Sequence, residues 1–337
     1  EIRLSLVGSE MCIRDRSSAG TLVVFPEKAY FIIDFRYIQK ARKVVKSCEV
    51  ILQDKLYEQI NSLLEKHGAK TVAINADTCT LTELISFQNK LNAEVIADTK
   101  LADIITDIRM IKSQEQIDKI IAAQRIAEKG FEHMLDFIKV GRTEKEIQLE
   151  LDYFMLRNGA EALSFDTIAL TGANTSLPHG VPSDQKVKDG DFVLMDFGAT
   201  YDGWHSDMTR TVCVGKPSEK MKAVYNTVLT AQLTALDAVK AGMSGKELDK
   251  IARDIITDAG YGDNFGHSLG HGVGVEIHES PYASPSREDI LPANSIVTVE
   301  PGIYLEGEFG VRIEDFVIVT EDGCINMTKA PKELICL

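Results

Sequence analysis

Asp196, Asp207, His271, Glu300 and Glu314 are the side chains of this 337-residue chain whose types and surroundings point most directly to chemistry. The four acids stand in LMDFGATYDGWHSDMTRT and TVEPGIYLEGEFGVRIED, whose short apolar runs have the character of buried strands. A buried strand does not tolerate an unpaired carboxylate, so a cation is the natural partner. Carboxylates with one imidazole make a hard, oxygen-rich set, suited to manganese, iron, cobalt or catalytic zinc and poor for copper or structural zinc. Five protein ligands are too many for one catalytic ion that keeps an open position, but they suit two ions about 3.5–4 Å apart that share carboxylates and a water. The set predicts a two-metal hydrolase, with Mn²⁺ as the first choice and Co²⁺, Zn²⁺ or Fe²⁺ as the other candidates. No run of alternating acids about a central glycine supports calcium.

Four of the seven histidines fall in two glycine-flanked motifs: His179 in SLPHGVPS, and His267, His271 and His278 in GHSLGHGVGVEIHESP. Glycine there lets backbone approach a ligand closely. The alternation over Val273 to Ile277 reads as a strand. Fully extended, it would separate His271 from His278 by about two nanometres, so the two lie on a curved path. His271 is assigned to the metal, and His179, His267 and His278 to the pocket as donors; chain order alone does not force that division. His67, His133 and His205 read as ordinary structural residues, although His205 is close to Asp207.

The elements that must position these groups come in two copies. Superposing Asp196 on Glu300 aligns GDFVLMDFG with NSIVTVEPG, an offset of 300 − 196 = 104. A second acid follows after 207 − 196 = 11 residues in one copy and 314 − 300 = 14 in the other. Upstream, GRTEKEI answers GMSGKEL at an offset of 242 − 141 = 101, and each holds Thr or Ser followed three residues later by Glu. That is a capping box, so each starts a helix. The helices continue in register, with Ile147, Leu151, Phe154 and Met155 matching Leu248, Ala252, Ile255 and Ile256, apolar at three-to-four spacing. Two helix-then-strand halves packed about a pseudo-two-fold axis are implied, acid-bearing strands inside and helices outside.

Length and 44% apolar content predict two domains. Residues 17–108 read as a smaller α/β domain, with strands at Thr21 to Phe25, Tyr30 to Asp34 and Thr71 to Asn75 and a helix at Leu56 to His67. Residues 109–337 form the catalytic domain and begin with a long amphipathic helix. Residues 1–16, EIRLSLVGSEMCIRDR, show no usable periodicity and read as a non-native tail, with native sequence before Ser17 missing. A net charge of −14 and a pI near 5.0 argue against nucleic acid as a partner. No apolar run is long enough to span a membrane and no signal sequence opens the chain, which predicts a cytoplasmic protein. Six cysteines without paired spacing read as free thiols.

SFDTIALTGANTSLPHG, MDFGATYDGWHSDMTRTV, GHSLGHGVGVEIHESP, TVEPGIY and GVRIED resemble, in order and spacing, the pita-bread metallopeptidases, most closely the aminopeptidase P and prolidase branch. The resemblance runs from about Asp107 to the C-terminus, and the first domain, residues 17–108, is similar to a truncated form of that branch's smaller creatinase-type N-terminal domain. It implies an α+β pita-bread fold with a pseudo-two-fold repeat. Asp196 would then hold one ion, His271 and Glu300 the other, and Asp207 and Glu314 would bridge. Glu300 would take the proton of a metal-bridging water as it attacks the scissile carbonyl. His278 would donate to the tetrahedral intermediate, His179 would orient substrate and handle protons, and His267 would wall the proline pocket. Tyr304 and Arg312 would support the ligands and the substrate, Arg312 by paired hydrogen bonds to carboxylate. The implied activity is that of a Xaa-Pro aminopeptidase cutting between an N-terminal residue and a following proline, with a Xaa-Pro dipeptidase as the alternative and a homodimer as the assembly. Methionine aminopeptidase, creatinase and a non-catalytic binding protein on the same scaffold are the rivals.

Overall fold

The computed structural model describes residues 2–6 and 19–337. The chain divides into two compact units between Ile108 and Arg109. In the first, six strands are ordered β4-β3-β2-β1-β5-β6: β1 (Ile2–Leu6), β2 (Thr21–Val24), β3 (Ala29–Ile33), β4 (Glu49–Leu52), β5 (Thr71–Ile74) and β6 (Glu94–Ile96). Helices α1 (Ile38–Val44), α2 (Leu56–Lys66), α3 (Leu81–Lys90) and α4 (Lys100–Met110) complete it. Successive residues point to opposite faces of a strand. Accordingly Val23, Tyr30 and Ile32 join one apolar layer with Ile60 and Leu64, while Leu22, Phe31 and Ile33 join the other with Ile38 and Ala41.

Strand β1 falls inside the stretch that reads as a tail, and it pairs with β2 and β5. Its sequence alternates Ile2, Leu4 and Leu6 with Arg3 and Ser5, a period too short to stand out before its neighbours are known. The rest of that stretch, Cys12 included, lies outside the described residues.

In the second unit, α5 (Gln114–Phe137) and α6 (Glu144–Arg157) precede one set of strands, and α7 (Glu219–Ala238) and α8 (Gly245–Asp258) precede another. Both predicted capping boxes form. The Thr143 and Ser244 hydroxyls each accept from the backbone N–H of Glu146 and Glu247 at 3.1 Å, and those glutamates accept in return from the cap N–H groups.

The first set comprises β7 (Ala162–Leu163), β8 (Ile168–Thr171), β9 (Phe192–Phe197), β10 (Ala199–Tyr201), β11 (Trp204–His205) and β12 (Met208–Cys213). The second comprises β13 (Gly270–Gly272), β14 (Glu279–Ala283), β15 (Ile296–Val299), β16 (Gly302–Leu305), β17 (Phe309–Arg312), β18 (Asp315–Val319) and β19 (Cys324–Asn326). The repeat resolves into one unit used twice: strand, acid, hairpin, acid, strand. In the first copy this is β9, Asp196, the β10–β11 hairpin, Asp207 and β12; in the second it is β15, Glu300, the β16–β17 hairpin, Glu314 and β18. The longer second hairpin accounts for the wider acid spacing there.

Each copy buries one face under its own helices. Ala127, Phe131, Leu151 and Met155 pack with Val193, Met195 and Val212; Val228, Ala231, Leu248 and Ala252 pack with Val297, Val299 and Val317. Fully burying such side chains is worth about 1.5–3 kcal/mol each, ample to hold the acid-bearing strands in place. Residues 273–278 are a bent turn and not the strand that their alternation predicts. A Cβ at Gly274 would lie 2.3 Å from Glu279 Oε1, so glycine lets the chain fold back there. Among the described residues no helix is long and apolar enough to cross a membrane.

Candidate metal centre

The two hairpin units deliver their acids to one place. Asp207, His271 and Glu314 are buried, and each offers a ligand atom within 4.8 Å of the others. His271 Nε2 stands 3.5 Å from Asp207 Oδ2 and 3.4 Å from Glu300 Oε1. Asp196 joins them from β9. Its Oδ2 accepts from Arg312 Nη2, while its buried Oδ1 has no hydrogen-bond partner among the described residues.

The tautomer of His271 follows from its hydrogen bonds. Nδ1 lies 3.0 Å from the Gly272 carbonyl and must be the N–H that donates to it. The Nε2 lone pair therefore faces the carboxylates, the arrangement a metal-binding imidazole needs. Burial, then the neighbouring His278, push the His271 pKa down to about 4, so the ring is neutral and ready to ligate.

The acids respond in the opposite direction. Burial first, then the charges of Asp196 and Glu300, hold Asp207 well above the ordinary carboxylate range. Glu314 is raised by burial and by Asp207, Glu300 and Asp196. Glu300 is pushed up to about 8 by burial, with Arg312 opposing and Asp196 reinforcing the shift. Acids that strain to keep their protons, a neutral imidazole lone pair and an orphaned carboxylate oxygen form a donor set that divalent cations fit and that the protein's own groups leave unsatisfied. This also suits the hard-ligand preference of Mn²⁺, Co²⁺, Fe²⁺ or Zn²⁺.

Arg312 is buried and does not form the paired carboxylate contact that its sequence position suggests. Its guanidinium fans out: Nη2 to Asp196, Nε to Thr209 Oγ1 at 3.0 Å and Nη1 to Tyr304 Oη at 2.8 Å. Thr209 in turn donates to Glu314 Oε2 at 2.7 Å. One cation thereby orients an acid from each copy.

The same network fixes His267. Its Nδ1 is 2.8 Å from the Ser268 carbonyl and so carries the proton, and its Nε2 accepts from Tyr304 Oη at 2.9 Å. Burial and then the Arg312 charge lower its pKa to about 4. Both ring nitrogens are thus used within the protein, and His267 presents an apolar ring surface instead of the donor that its motif suggests.

A cleft of about 470 Å³ opens over these groups. His179, His267, His278 and Arg312 line it together with the four acids and the His271 imidazole, and so do Phe165 and Tyr282. Tyr304 is not in the lining; it stands behind His267 and Arg312. The His271 and His278 rings approach to 4.3 Å, brought together by the turn over residues 273–278. His67, in the first unit, is stacked on Phe25 and bonded to Tyr30, and His133, bonded to Glu150, is not among the residues that line the cleft.

Sequence reasoning missed the supports. Thr298 Oγ1 donates to Glu300 Oε1 at 3.1 Å and accepts from His271 N–H at 3.0 Å. Arg253 grips both oxygens of Asp249 and donates to the Phe265 and His267 carbonyls at 2.8 Å each, while Asp249 accepts from Leu269 N–H. The threonines carried a usable signal: Thr209 and Thr298 lie two residues from an acid, on the same strand face. Asp249 and Arg253 carried one only as an i, i+4 pair, which usually marks a solvated helix face.

A creatinase-type unit followed by a duplicated strand–acid–hairpin domain with acids and histidine at its centre defines the pita-bread metallopeptidases. Comparison agrees: residues 118–321 match the model of metallopeptidase family M24, and residues 8–111 that of the creatinase/prolidase N-terminal domain. The Xaa-Pro dipeptidase of Pyrococcus furiosus is 43% identical over 85% of this chain and 80% of its own. The structure of a Xaa-Pro dipeptidase from Bacillus anthracis superposes with a TM-score of 0.96 at 40% identity, covering 100% of this chain and 95% of that one. That of an X-Pro aminopeptidase from Thermotoga maritima gives 0.93 at 36%, covering 100% and 98%. The chain belongs to metallopeptidase family M24.

Proposed function

We propose that this metallopeptidase is a Xaa-Pro dipeptidase, hydrolysing the bond between an N-terminal residue and a C-terminal proline. The observation that carries the peptidase chemistry is the convergence of Asp196, Asp207, His271, Glu300 and Glu314 beneath a histidine-walled cleft. The dipeptide preference is supported by the Xaa-Pro dipeptidases among its relatives. The Thermotoga maritima X-Pro aminopeptidase supports a second reading, in which longer peptides with proline second are cut.

In this reading Asp196, Asp207, His271, Glu300 and Glu314 would together hold two divalent ions, Mn²⁺ first. When bound, such ions supply Lewis acidity and a water acidic enough to attack near neutral pH. Glu300, whose Oε1 stands 3.4 Å from His271 Nε2 at the floor of the cleft, would take the proton from the attacking water. The same oxygen returns that proton to the proline nitrogen as the C–N bond breaks, leaving a free amino acid and proline. His278 and His179 line the cleft, and in this reading they donate to the oxyanion and to the substrate's polar ends. His267, with both nitrogens engaged, offers the flat apolar wall that a pyrrolidine ring packs against.

A cytoplasmic homodimer belongs to the same proposal, and light scattering of the purified protein tests the assembly. The activity is tested by Mn²⁺-dependent hydrolysis of a Xaa-Pro dipeptide beside a Xaa-Pro-Xaa tripeptide, before and after chelation. Chelator-sensitive cleavage confined to the dipeptide is the expected result. Equal or better cleavage of the tripeptide replaces this reading with the aminopeptidase, and cleavage of neither overturns both.

A further inference from the structure

Residues 171–183 leave β8, pass through a 3₁₀ turn (Gly172–Ser176) and carry Pro178 and the exposed His179 over the cleft. Both ends of this segment are fastened to one buried side chain, Glu144, the first residue of α6. Glu144 Oε1 accepts from Thr171 N–H at 2.8 Å and from Asn174 Nδ2 at 2.9 Å. Its Oε2 accepts from Ser183 N–H at 2.9 Å and from Ser183 Oγ at 2.6 Å. All of these partners are donors, and a helix N-terminus favours the charge.

The second half of the molecule tells what this carboxylate is not for. At the repeat's offset of 242 − 141 = 101, Glu144 corresponds to 144 + 101 = 245, a glycine. The backbone scaffold is the same in both halves: Thr143 bridges Lys186 as Ser244 bridges Ile290, and Glu144 N–H donates to Gln185 O at 3.0 Å as Gly245 N–H donates to Asp289 O at 2.7 Å. Helix start and strand therefore meet without any carboxylate. At Gly245 a Cβ would sit 1.9 Å from Tyr282 O, so no side chain fits there. What Glu144 adds is specific to the half that bears His179.

We infer that Glu144 is a positioning residue, which acts through the 171–183 loop to hold His179 in register with the reaction centre. This rests on the Xaa-Pro peptidase reading for its kinetic consequence and on geometry alone for its structural one. Glu144→Gln keeps the shape but turns one arm into a donor facing donors, freeing one end of the loop while leaving every proposed metal ligand untouched.

The test uses the Mn²⁺-loaded full chain with a Xaa-Pro dipeptide, combined with amide hydrogen exchange. E144Q is expected to lower kcat/KM about 10²-fold, as misplacement of a reacting group by an ångström does, with metal stoichiometry unchanged and exchange over residues 171–183 accelerated. In a His179→Ala background the same substitution is expected to cost almost nothing more. Ser183→Ala, which removes the 2.6 Å hydroxyl bond to Glu144 and the 3.1 Å bond that this hydroxyl accepts from Gln185 N–H, serves if E144Q does not fold, with a smaller loss that also disappears without His179. Equal losses in both backgrounds, or unchanged exchange in the loop, overturn the inference. Exchange needs no substrate, so an enzyme that cleaves no Xaa-Pro peptide sinks the functional reading while the loop result still decides this one.

Discussion

At the scale of single residues, the site works by opposing burial to charge. Asp207 and Glu314 are buried, with the partly buried Glu300 beside them, a grouping that is costly unless protons or cations intervene. Asp207→Asn, Glu300→Gln and His271→Ala are each expected to reduce metal occupancy or turnover by orders of magnitude, read by metal analysis and dipeptide hydrolysis. His67→Ala, stacked on Phe25 in the other unit, should do neither. Retained activity in the first set would remove the two-metal reading. Arg312 is the subtler case, because it serves Asp196, Thr209 and Tyr304 at once. Lysine keeps the charge but loses the planar fork, so it reaches one partner and abandons the others. Arg312→Lys should lower kcat/KM about 10–100-fold, the range usual for groups that orient metal ligands. An unchanged kcat/KM in steady-state assays would show that the fan of bonds is dispensable.

At the scale of elements, the positions of glycine decide how closely strands can carry the ligands together. Gly270 in β13 lies so near β15 that a Cβ would be 1.9 Å from Thr298 O, beside the hydroxyl that holds both His271 and Glu300. Gly270→Ala is expected to push β13 off β15 and weaken Mn²⁺ binding about tenfold or more, measured by titration calorimetry; undiminished affinity would show that the strand absorbs the shift. This scale also shows what the sequence could reveal. The duplication was legible because acids at matched offsets and two capping boxes are rare together, and it singled out the four acids, whereas His271 was read from its glycine-flanked motif. The turn over residues 273–278 was not, since alternation cannot register the contact between Gly274 and Glu279 that folds the chain back. Strands β4 and β6 and helices α1, α3 and α4 escaped for a plainer reason: short elements are fixed by neighbours distant in sequence. Nor could the direction of Arg312 be read, because four acceptors set it, Asp196, Thr209 and Tyr304 on three separate strands or strand ends and the Pro178 carbonyl in the loop beside His179.

At the scale of the whole molecule, ligands from both copies meet at one centre, so metal binding and the stability of the second unit are coupled. The sign follows from the shifts. An acid whose folded pKa is raised contributes stability that is complete below its ordinary value and is lost as pH rises through the folded one. For Glu300 that window runs from 4.5 to about 8, and Asp207 and Glu314 act in the same sense. His271 and His267, lowered from 6.5 to about 4, act oppositely: their contribution is present above 6.5 and is lost as pH falls toward 4. Above 6.5 only the carboxylate effect remains, and the metal-free protein should lose stability steadily up to pH 8. Cations replace the protons and remove that loss, while ligand at a thousandfold excess over its Kd adds about 4 kcal/mol. The gap in melting temperature between Mn²⁺-loaded and chelated protein is therefore expected to widen from pH 6.5 to 8. Hydrogen exchange should place the gain in β9, β12, β15 and β18 and leave β2 and β3 unchanged. A gap that stays constant across this range would mean that the buried acids do not exchange protons for metal, and the account of the centre given by burial and mutual repulsion would fail with it.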